Sequence, residues 1–313
     1  MLYLTTRNKA DSYTAYRMLR CEKAPDGGQF LPMQLPVLSD YQLAEFEQMN
    51  FGHIMAELMN VFLGTKLTGW DVDFAVGRQA VTLATAGYKV SVAETWHNPA
   101  GTHAYLVQRL HALACGEKYT TVKPNLWFEA VVDIALLFAM HAKLCRQGIY
   151  EFDIAMQTGD LQQLFALRYA QKMGLPVGTV ILGSIPDDSM WEFVSHGEYA
   201  TAGKAHSTGL EALLWLEFGH DETAKFLNTE QRRSIYHLDP PRIEIFRNQT
   251  FTSVVGQDRA LYVAKTAAGS GQYSMELSTA RAFGALQDYR AKTGINRNTL
   301  LISRNATRLP GKH

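Results

Sequence analysis

This 313-residue sequence has few cysteines and no net charge. Its three cysteines, Cys21, Cys115 and Cys145, are odd in number and do not share the spacing of a metal-binding motif, so we expect reduced thiols, no disulfide framework and no metal site. Thirty Lys and Arg residues balance thirty Asp and Glu residues. A balanced charge gives no general attraction to nucleic acid or to an anionic membrane, so neither is an expected partner.

Long apolar runs are also missing. The most apolar stretch, residues 130–140, is interrupted by Asp133 and is much shorter than the ~20 residues that a membrane span needs. The N-terminus carries Arg7 and Lys9 without an apolar run behind them, so the sequence predicts no signal peptide. We therefore expect a soluble, cytoplasmic protein, and a hydrophobic content of 47% is enough for a large core.

The N-terminal ninety residues combine turn signals with helical periodicity. Residues 25–28 are Pro-Asp-Gly-Gly, a strong turn signal, because proline presets one backbone angle and glycine accepts a positive φ. Residues 40–62 have the apolar spacing of an amphipathic helix or a pair of helices with a break near residues 50–52.

Strand and helix signals alternate in the rest of the chain. Residues 149–155 and 177–182 have the composition of buried strands, and a loop at residues 156–160 and a helix lie between them. Asn125 is placed to cap a long helix that precedes the first of these strands. The alternation predicts an α/β fold with a mainly parallel sheet.

The same alternation recurs near the C-terminus. Ser278 is predicted to cap a helix that Gly294 ends, and residues 300–302 form the next buried strand.

Short motifs occur at both ends and in the centre of the chain. Residues 24–32 are APDGGQFLP, close to A-P-D-G-G-L-Y-V-P, and residues 3–8 are YLTTRN, similar to Y-x-S-T-R-G. Residues 158–161 and 173–177, TGDL and MGLPV, are similar to F-G-D-L and x-G-L-P-V. Together these motifs resemble the threonine synthase family, which implies the large domain of a fold-type-II enzyme that depends on pyridoxal phosphate (PLP).

The segment that resembles the family's cofactor anchor lacks the anchor itself. Residues 94–105 are ETWHNPAGTHAY where the family has E-L-F-H-G-P-T-x-A-F-K-D, and the family's Schiff-base lysine falls on Ala104. An alanine methyl cannot form an imine, so the resemblance implies no catalytic residue at this position. Lys118 or Lys123 could supply an amine, but both lie outside the anchor motif.

A second part of the family's pattern is missing between residues 105 and 157. That connection is short and lacks the family's substrate-binding S-G-D-T-G turn, so the resemblance implies a small domain that is largely deleted. Residues 116–118 offer a tight junction for the deletion. We therefore divide the chain into an N-terminal region, residues 1–90, and an α/β domain with a curtailed small domain, residues 91–313.

The resemblance also implies a remnant site. Thr158, Gly159 and Asp160 stand where the family's Ser-Gly-Asn-Phe-Gly loop holds the cofactor phosphate, and Ser303 is near the position of the residue that contacts the pyridine nitrogen. His97 and Asn98 correspond to substrate contacts. From the residues alone, a turn with a helix cap is the favoured interpretation of the Thr158–Asp160 segment, and a structural histidine beside an aromatic residue is the favoured interpretation of His97.

These observations support two functional hypotheses. The first is a catalytically inactive homologue that needs no cofactor and binds a small amino-acid or phosphorylated ligand, or associates with a protein partner or another copy of itself. The alternative is a threonine synthase, a PLP-dependent lyase of threonine biosynthesis that converts O-phosphohomoserine to threonine and phosphate.

Overall fold

The computed structural model describes residues 1–159, 161–270 and 273–307. The strands are β1 (Leu2–Thr5), β2 (Tyr13–Thr14), β3 (Phe30–Pro32), β4 (Thr82–Gly87), β5 (Val90–Glu94), β6 (Phe152–Gln157), β7 (Val177–Ser184), β8 (Glu198–Ala200), β9 (Ile235–His237), β10 (Thr250–Val254) and β11 (Thr299–Ser303). The helices are α1 (Ala15–Met18), α2 (Asp40–Gln48), α3 (Phe51–Leu63), α4 (Gly69–Val76), α5 (His103–Ala114), α6 (Leu126–Cys145), α7 (Gln162–Lys172), α8 (Ser189–His196), α9 (Thr208–Phe218), α10 (His220–Gln231), α11 (Pro240–Arg247), α12 (Gln257–Gly269) and α13 (Leu277–Thr293).

A six-stranded sheet forms the centre of the molecule. Its strand order is β10-β7-β6-β11-β5-β4, and every neighbouring pair is parallel except the β4–β5 hairpin. The last strand in the sequence, β11, therefore lies inside the sheet between β6 and β5. The α/β fold with a mainly parallel sheet is confirmed.

Both faces of this sheet are covered, because alternate residues of its strands belong to different apolar clusters. Ile154 and Leu300 lie in the larger cluster with α6, whereas Ala155 and Leu301 lie in the cluster formed with α12 and α13. A strand buried on both faces is apolar at successive positions, which is the pattern that the sequence shows.

Helix α6 is the central element of the larger face. Asn125 accepts the backbone N–H of Phe128 and so caps the helix, as predicted. Nearly all of its twenty residues are buried, and it packs against α2, α3 and α7. A helix that is apolar all round belongs in the interior of a protein. None of the described helices combines the length and the apolar character that crossing a bilayer requires.

The N-terminal region adds a small antiparallel sheet, with the order β2-β1-β3, and a pair of helices. The predicted break between those helices is confirmed, because α2 ends at Gln48 and Asn50 caps α3 by accepting the N–H of His53. The predicted turn at residues 25–28 contains Gly27 at φ +77°. The boundary at residue 90 stays a prediction, and the central sheet includes β4 from the preceding segment.

Three boundaries predicted from the sequence were wrong. The strand expected at residues 149–155 begins at Phe152, because the N–H of Ile149 still bonds to the carbonyl of Leu144 and completes the turn after α6. The same strand continues to Gln157, so Met156 is a core residue rather than part of a loop. Helix α13 begins at Leu277 and not after Ser278.

The connection between residues 105 and 157 consists of α5, a loop, α6 and β6. Gly116 adopts φ +71° just after α5, where the sequence predicts a tight junction. The described residues form no second parallel sheet; the remaining strands, β8 and β9, make a two-stranded antiparallel pair. The described residues thus contain one main, mostly parallel sheet, and the deletion of a small domain stays a prediction.

Candidate functional site

The candidate site lies at the carboxyl edge of the central sheet. Ser303 at the end of β11 pairs with Glu94 at the end of β5, and on the other side of β11 Leu301 pairs with Ala155 of β6. The segments that follow these three strands therefore emerge side by side. Open parallel sheets bind their ligands at this edge.

The segment after β5 is held against the segment after β11. Thr102 caps α5 and forms an isolated antiparallel bridge with Asn305, while the N–H of His103 donates to the carbonyl of Arg304 over 2.7 Å. Gly101 permits the approach with φ +64°. These contacts fix Ala104 in the first turn of α5, the position where the family resemblance expects the cofactor lysine.

Ala104 lines a cavity of about 500 Å³. The cavity lies between the start of α5, the loop before α6 and the segment after β11. Its other lining residues are Glu22, His103, Val107, Gln108, Thr121, Val122, Lys123, Pro124, Glu129, Arg304 and Asn305. We call it the Ala104 cavity.

A buried charge cluster supports one wall of the Ala104 cavity. The guanidinium Nη2 of Arg304 donates to Oδ2 of Asp133 over 2.5 Å, and Nε2 of His103 lies 3.3 Å from Oδ1 of Asp133. Burial alone would raise the pKa of Asp133, but the Arg304 charge and the His103 hydrogen bond outweigh it and lower the pKa to about 2. Burial and the Arg304 charge lower the pKa of His103. Asp133 is therefore an anion beside a neutral imidazole at neutral pH.

The remaining charged groups of the cavity are of both signs. Lys123 is exposed and has no ion-pair partner among residues 1–159, 161–270 and 273–307. Glu22 and Glu129 supply carboxylates on the same cavity, and Glu129 also accepts a hydrogen bond from Gln162. The arrangement offers cations for an anionic group and carboxylates for an ammonium group.

The residues predicted as substrate contacts lie outside the Ala104 cavity. His97 stacks on Trp96 with ring centroids 4.2 Å apart, and its Nε2 lies 2.7 Å from Oε2 of Glu94 and 2.8 Å from Oγ1 of Thr82. Asn98 Nδ2 donates to the carbonyl of Thr102, and its Oδ1 accepts N–H groups of the same loop. Both side chains therefore stabilise the loop between β5 and α5.

Ser303 is buried and already engaged. Its Oγ accepts the indole N–H of Trp96 over 3.1 Å. Tyr273 donates to Glu94 over 2.7 Å, and burial followed by this carboxylate raises the pKa of the phenol. Ser303, Trp96 and His97 therefore lie together, and their contacts are with one another and with neighbouring protein groups.

The loop predicted to hold a phosphate is also closed by its own hydrogen bonds. The N–H of Thr158 donates to the carbonyl of Gly183, the N–H of Leu161 donates to the carbonyl of Thr158, and the Thr158 hydroxyl donates to the Asp188 carboxylate. Gly159 adopts φ +50°, and Leu161, at φ +68°, is the N-cap of α7. Asp160, which the sequence predicted to be a phosphate contact or a helix cap, lies outside the described residues. The N-cap residue of α7 is Leu161, which makes no side-chain cap hydrogen bond.

The residues present do not fit PLP as the family resemblance would have it bound. Ala104 has no amine, the N–H of Thr158 is bonded to the carbonyl of Gly183, and the Thr158 hydroxyl is bonded to the carboxylate of Asp188. A phosphate-binding loop directs free backbone N–H groups at the anion. The N–H groups of Thr158 and Leu161 instead bond to carbonyl groups of the protein.

Sequence analysis missed the side chains that build the Ala104 cavity. Asp133 was visible as a lone charge in the most apolar stretch of the chain, which is a usable signal because a buried charge needs a partner. Its partner Arg304 lies 171 positions away, and no local pattern connects the two. Lys123 was noted as an alternative amine, and the structure brings it to the same cavity as Ala104.

The mixed α/β fold, with its mostly parallel central sheet, matches the fold of solved fold-type-II threonine synthases. The PLP-bound threonine synthase from Brucella melitensis superposes with a TM-score of 0.80 at 13% identity, covering 98% of this chain and 89% of that one. The yeast threonine synthase gives 0.79 at 13% identity, covering 97% and 87%. At this identity the likeness concerns the fold.

Sequence comparison points to the same family. The model for the threonine synthase N terminus matches residues 2–77. Threonine synthase-like 2 proteins from Homo sapiens and Pongo abelii are 30% identical over 106 residues, which is 31% of this chain and 22% of each relative's length. The N-terminal region is therefore similar in sequence to threonine synthases, and the chain as a whole is similar to them in fold.

Proposed function

We propose that this chain is a non-catalytic member of the threonine synthase family that binds a small ligand in the Ala104 cavity. The observation that carries the proposal is the position of Ala104. An alanine methyl stands in the first turn of α5 where the family resemblance expects the lysine, and it lines a cavity of about 500 Å³. Covalent capture of a cofactor is lost at this position, while a space for a ligand remains.

The lining of the Ala104 cavity indicates the chemistry of the ligand. Lys123 and Arg304 can bind a carboxylate or a phosphate, and Glu22 and Glu129 can bind an ammonium group. A molecule that carries both groups matches both signs of charge. The ligand we propose is therefore an amino acid or its phosphorylated derivative.

Two residues of the cavity wall, His103 and Arg304, each have a polar side-chain atom that the described residues leave unsatisfied. Nδ1 of His103 and Nε of Arg304 are buried and have no hydrogen-bond partner in the described part of the chain. Buried polar atoms in folded proteins are generally satisfied by protein, water or ligand.

Thermal melts test the proposal. We expect at least one of threonine, O-phosphohomoserine and inorganic phosphate to raise the melting temperature, because a ligand present at a hundred times its dissociation constant stabilises the fold by ~2.7 kcal/mol. Lys123→Met should abolish the shift, since Lys123 is the cavity's unpaired cation. Lys118→Met is the matched control, because Lys118 lies on the same loop but outside the cavity lining.

Two results would contradict ligand binding at this cavity. One is a melting temperature that no compound changes, which would favour association with another protein as the role of the chain. The other is a shift that Lys123→Met leaves intact, which would put the ligand elsewhere.

A second candidate is supported by one observation, that Lys123 lines the same cavity as Ala104. A lysine there could replace the missing anchor, and the chain would then be a PLP-dependent threonine synthase acting on O-phosphohomoserine. Lys123 lies on a loop rather than in the first turn of α5, so this candidate requires a different placement of the cofactor. Chemical trapping of an imine separates it from the first.

A further inference from the structure

A separate cluster of metal-ligating side chains lies beside the start of β6, where the C-terminal ends of α2 and α6 meet and the ring of His141 stacks on Phe152 at 6.1 Å. It consists of Glu47, His141 and Cys145, whose potential ligand atoms all lie within 4.8 Å of one another. His141 and Cys145 are buried, and Glu47 is partly exposed. None of the three belongs to the Ala104 cavity. We propose that these three residues form a zinc site.

The spacing of His141 and Cys145 places both on one face of α6. Residues four positions apart on a helix are neighbours, and Nε2 of His141 lies 3.2 Å from Sγ of Cys145. Zinc–sulfur and zinc–nitrogen bonds of about 2.3 and 2.0 Å at a tetrahedral angle place these two atoms about 3.5 Å apart. The two side chains therefore need only a small adjustment to share one ion.

The third ligand is held in place by the packing of α2 on α6. The rings of Phe46 and Phe138 make an edge-to-face contact at 5.6 Å, which brings the last turn of α2 to α6. Arg146 donates to the backbone carbonyl of Glu47 over 2.6 Å and to that of Met49. This contact uses the backbone carbonyl of Glu47, while its carboxylate faces the Cys145 thiol and accepts a hydrogen bond from it, a bond that a metal ion shared by the two groups would replace.

The donor set selects the metal. One imidazole, one thiolate and one carboxylate suit zinc better than the oxygen-ligating calcium or magnesium. The thiolate and the carboxylate neutralise the two charges of the ion. The imidazole also makes a hydrogen bond with the backbone of Tyr150, the kind of outer contact that orients a ligating histidine.

The chain contains a second pair with the same spacing, and it serves as an internal comparison. His111 and Cys115 are also four positions apart on a helix, but Nε2 of His111 lies 2.9 Å from the carbonyl of Leu19 and 4.0 Å from Sγ of Cys115. Among the described residues, no carboxylate completes a three-ligand group there. A histidine and a cysteine four positions apart are therefore not enough to form a metal site. At α6 the third ligand, Glu47, comes from the neighbouring helix α2.

Zinc binding can be measured on the full chain after removal of metal with a chelator. We expect one zinc ion per chain in competition with a chromophoric chelator, and at least about 10-fold weaker binding by Cys145→Ser and by Glu47→Gln. Cys115→Ser is the matched control and should bind as the wild type does. Cobalt should give a thiolate charge-transfer band that Cys145→Ser loses and Cys115→Ser keeps.

Glu47→Gln changes a partly exposed side chain, so it remains informative if Cys145→Ser fails to fold. The proposal is overturned if the wild type takes up no zinc. It is equally overturned if Glu47→Gln binds zinc with unchanged affinity, or if Cys115→Ser weakens zinc binding as much as Cys145→Ser does.

Discussion

At the scale of single residues, Asp133 shows how one buried charge organises the candidate site. It lies in the middle of a helix that is otherwise apolar, and it holds both Arg304 and His103 beside the Ala104 cavity. Without the carboxylate, the Arg304 charge would lose its only ion-pair partner among the described residues. The cluster therefore shapes the cavity wall as well as stabilising the fold.

We predict that Asp133→Asn destabilises the protein by about 3 kcal/mol, because breaking a buried ion pair leaves a charge uncompensated. Urea unfolding followed by circular dichroism gives the free energy of unfolding. Asp221→Asn is the control, since the Asp221 side chain is fully exposed, and it should change that free energy by no more than about 0.5 kcal/mol. If both variants change the free energy of unfolding equally, the ion pair between Asp133 and Arg304 does not stabilise the fold.

At the scale of elements, the buried strands and helices could be predicted, but their ends could not. The apolar runs that become β7, β11 and α6 are visible because burial on all sides leaves few polar positions. The start of β6 was placed three residues early, since Ile149 is as apolar as a strand residue and yet its N–H completes the turn after α6. Whether Ile149 joins the turn or the strand depends on this hydrogen bond, which the local sequence does not reveal.

A further element-scale contact joins the end of β1 to α9 and α10. Glu211 on α9 is buried and accepts hydrogen bonds from Thr6 and Arg7, and His206 lies between the carboxylates of Glu211 and Glu230. Burial would lower the pKa of His206, but the two carboxylates outweigh it and the pKa is raised above 6.5. The charged imidazole is therefore the form that the fold favours.

This pairing predicts a pH dependence of stability. A raised histidine pKa gives a contribution that is complete below the unfolded value of about 6.5 and is lost as the pH rises through the higher folded value. His206→Asn should therefore be less stable than the wild type at about pH 6, and the difference should shrink toward about pH 9. Thermal melts across this range measure it.

His237→Asn is the control for that series, because the His237–Glu198 pair is exposed and exposed pairs contribute little. A difference between His206→Asn and the wild type that stays constant from about pH 6 to about pH 9 would contradict the charged pairing.

At the scale of the whole molecule, the sequence predicted the fold, but it did not predict which residues line the Ala104 cavity. The Ala104 cavity combines Lys123, Glu129 and Arg304, which come from a loop, a helix and the end of the last strand, and only the strand order brings them together. The predicted remnant site at Thr158, Gly159 and Ser303 does not coincide with this cavity. The sequence did not bring Glu47, His141 and Cys145 together for a related reason, because cysteine spacing was compared with cysteine alone and the packing of α2 on α6 has no local pattern.

The most direct test of a non-catalytic role asks whether any lysine forms an imine with PLP. The protein is incubated with PLP, treated with borohydride and examined by intact mass and peptide mapping, with a lysine-bearing threonine synthase as positive control. Because Ala104 has no amine, we predict that the chain gains no stoichiometric adduct, and that Lys123→Arg behaves in the same way. A single stoichiometric adduct on Lys123, lost in Lys123→Arg, would contradict the account and favour a PLP-dependent enzyme.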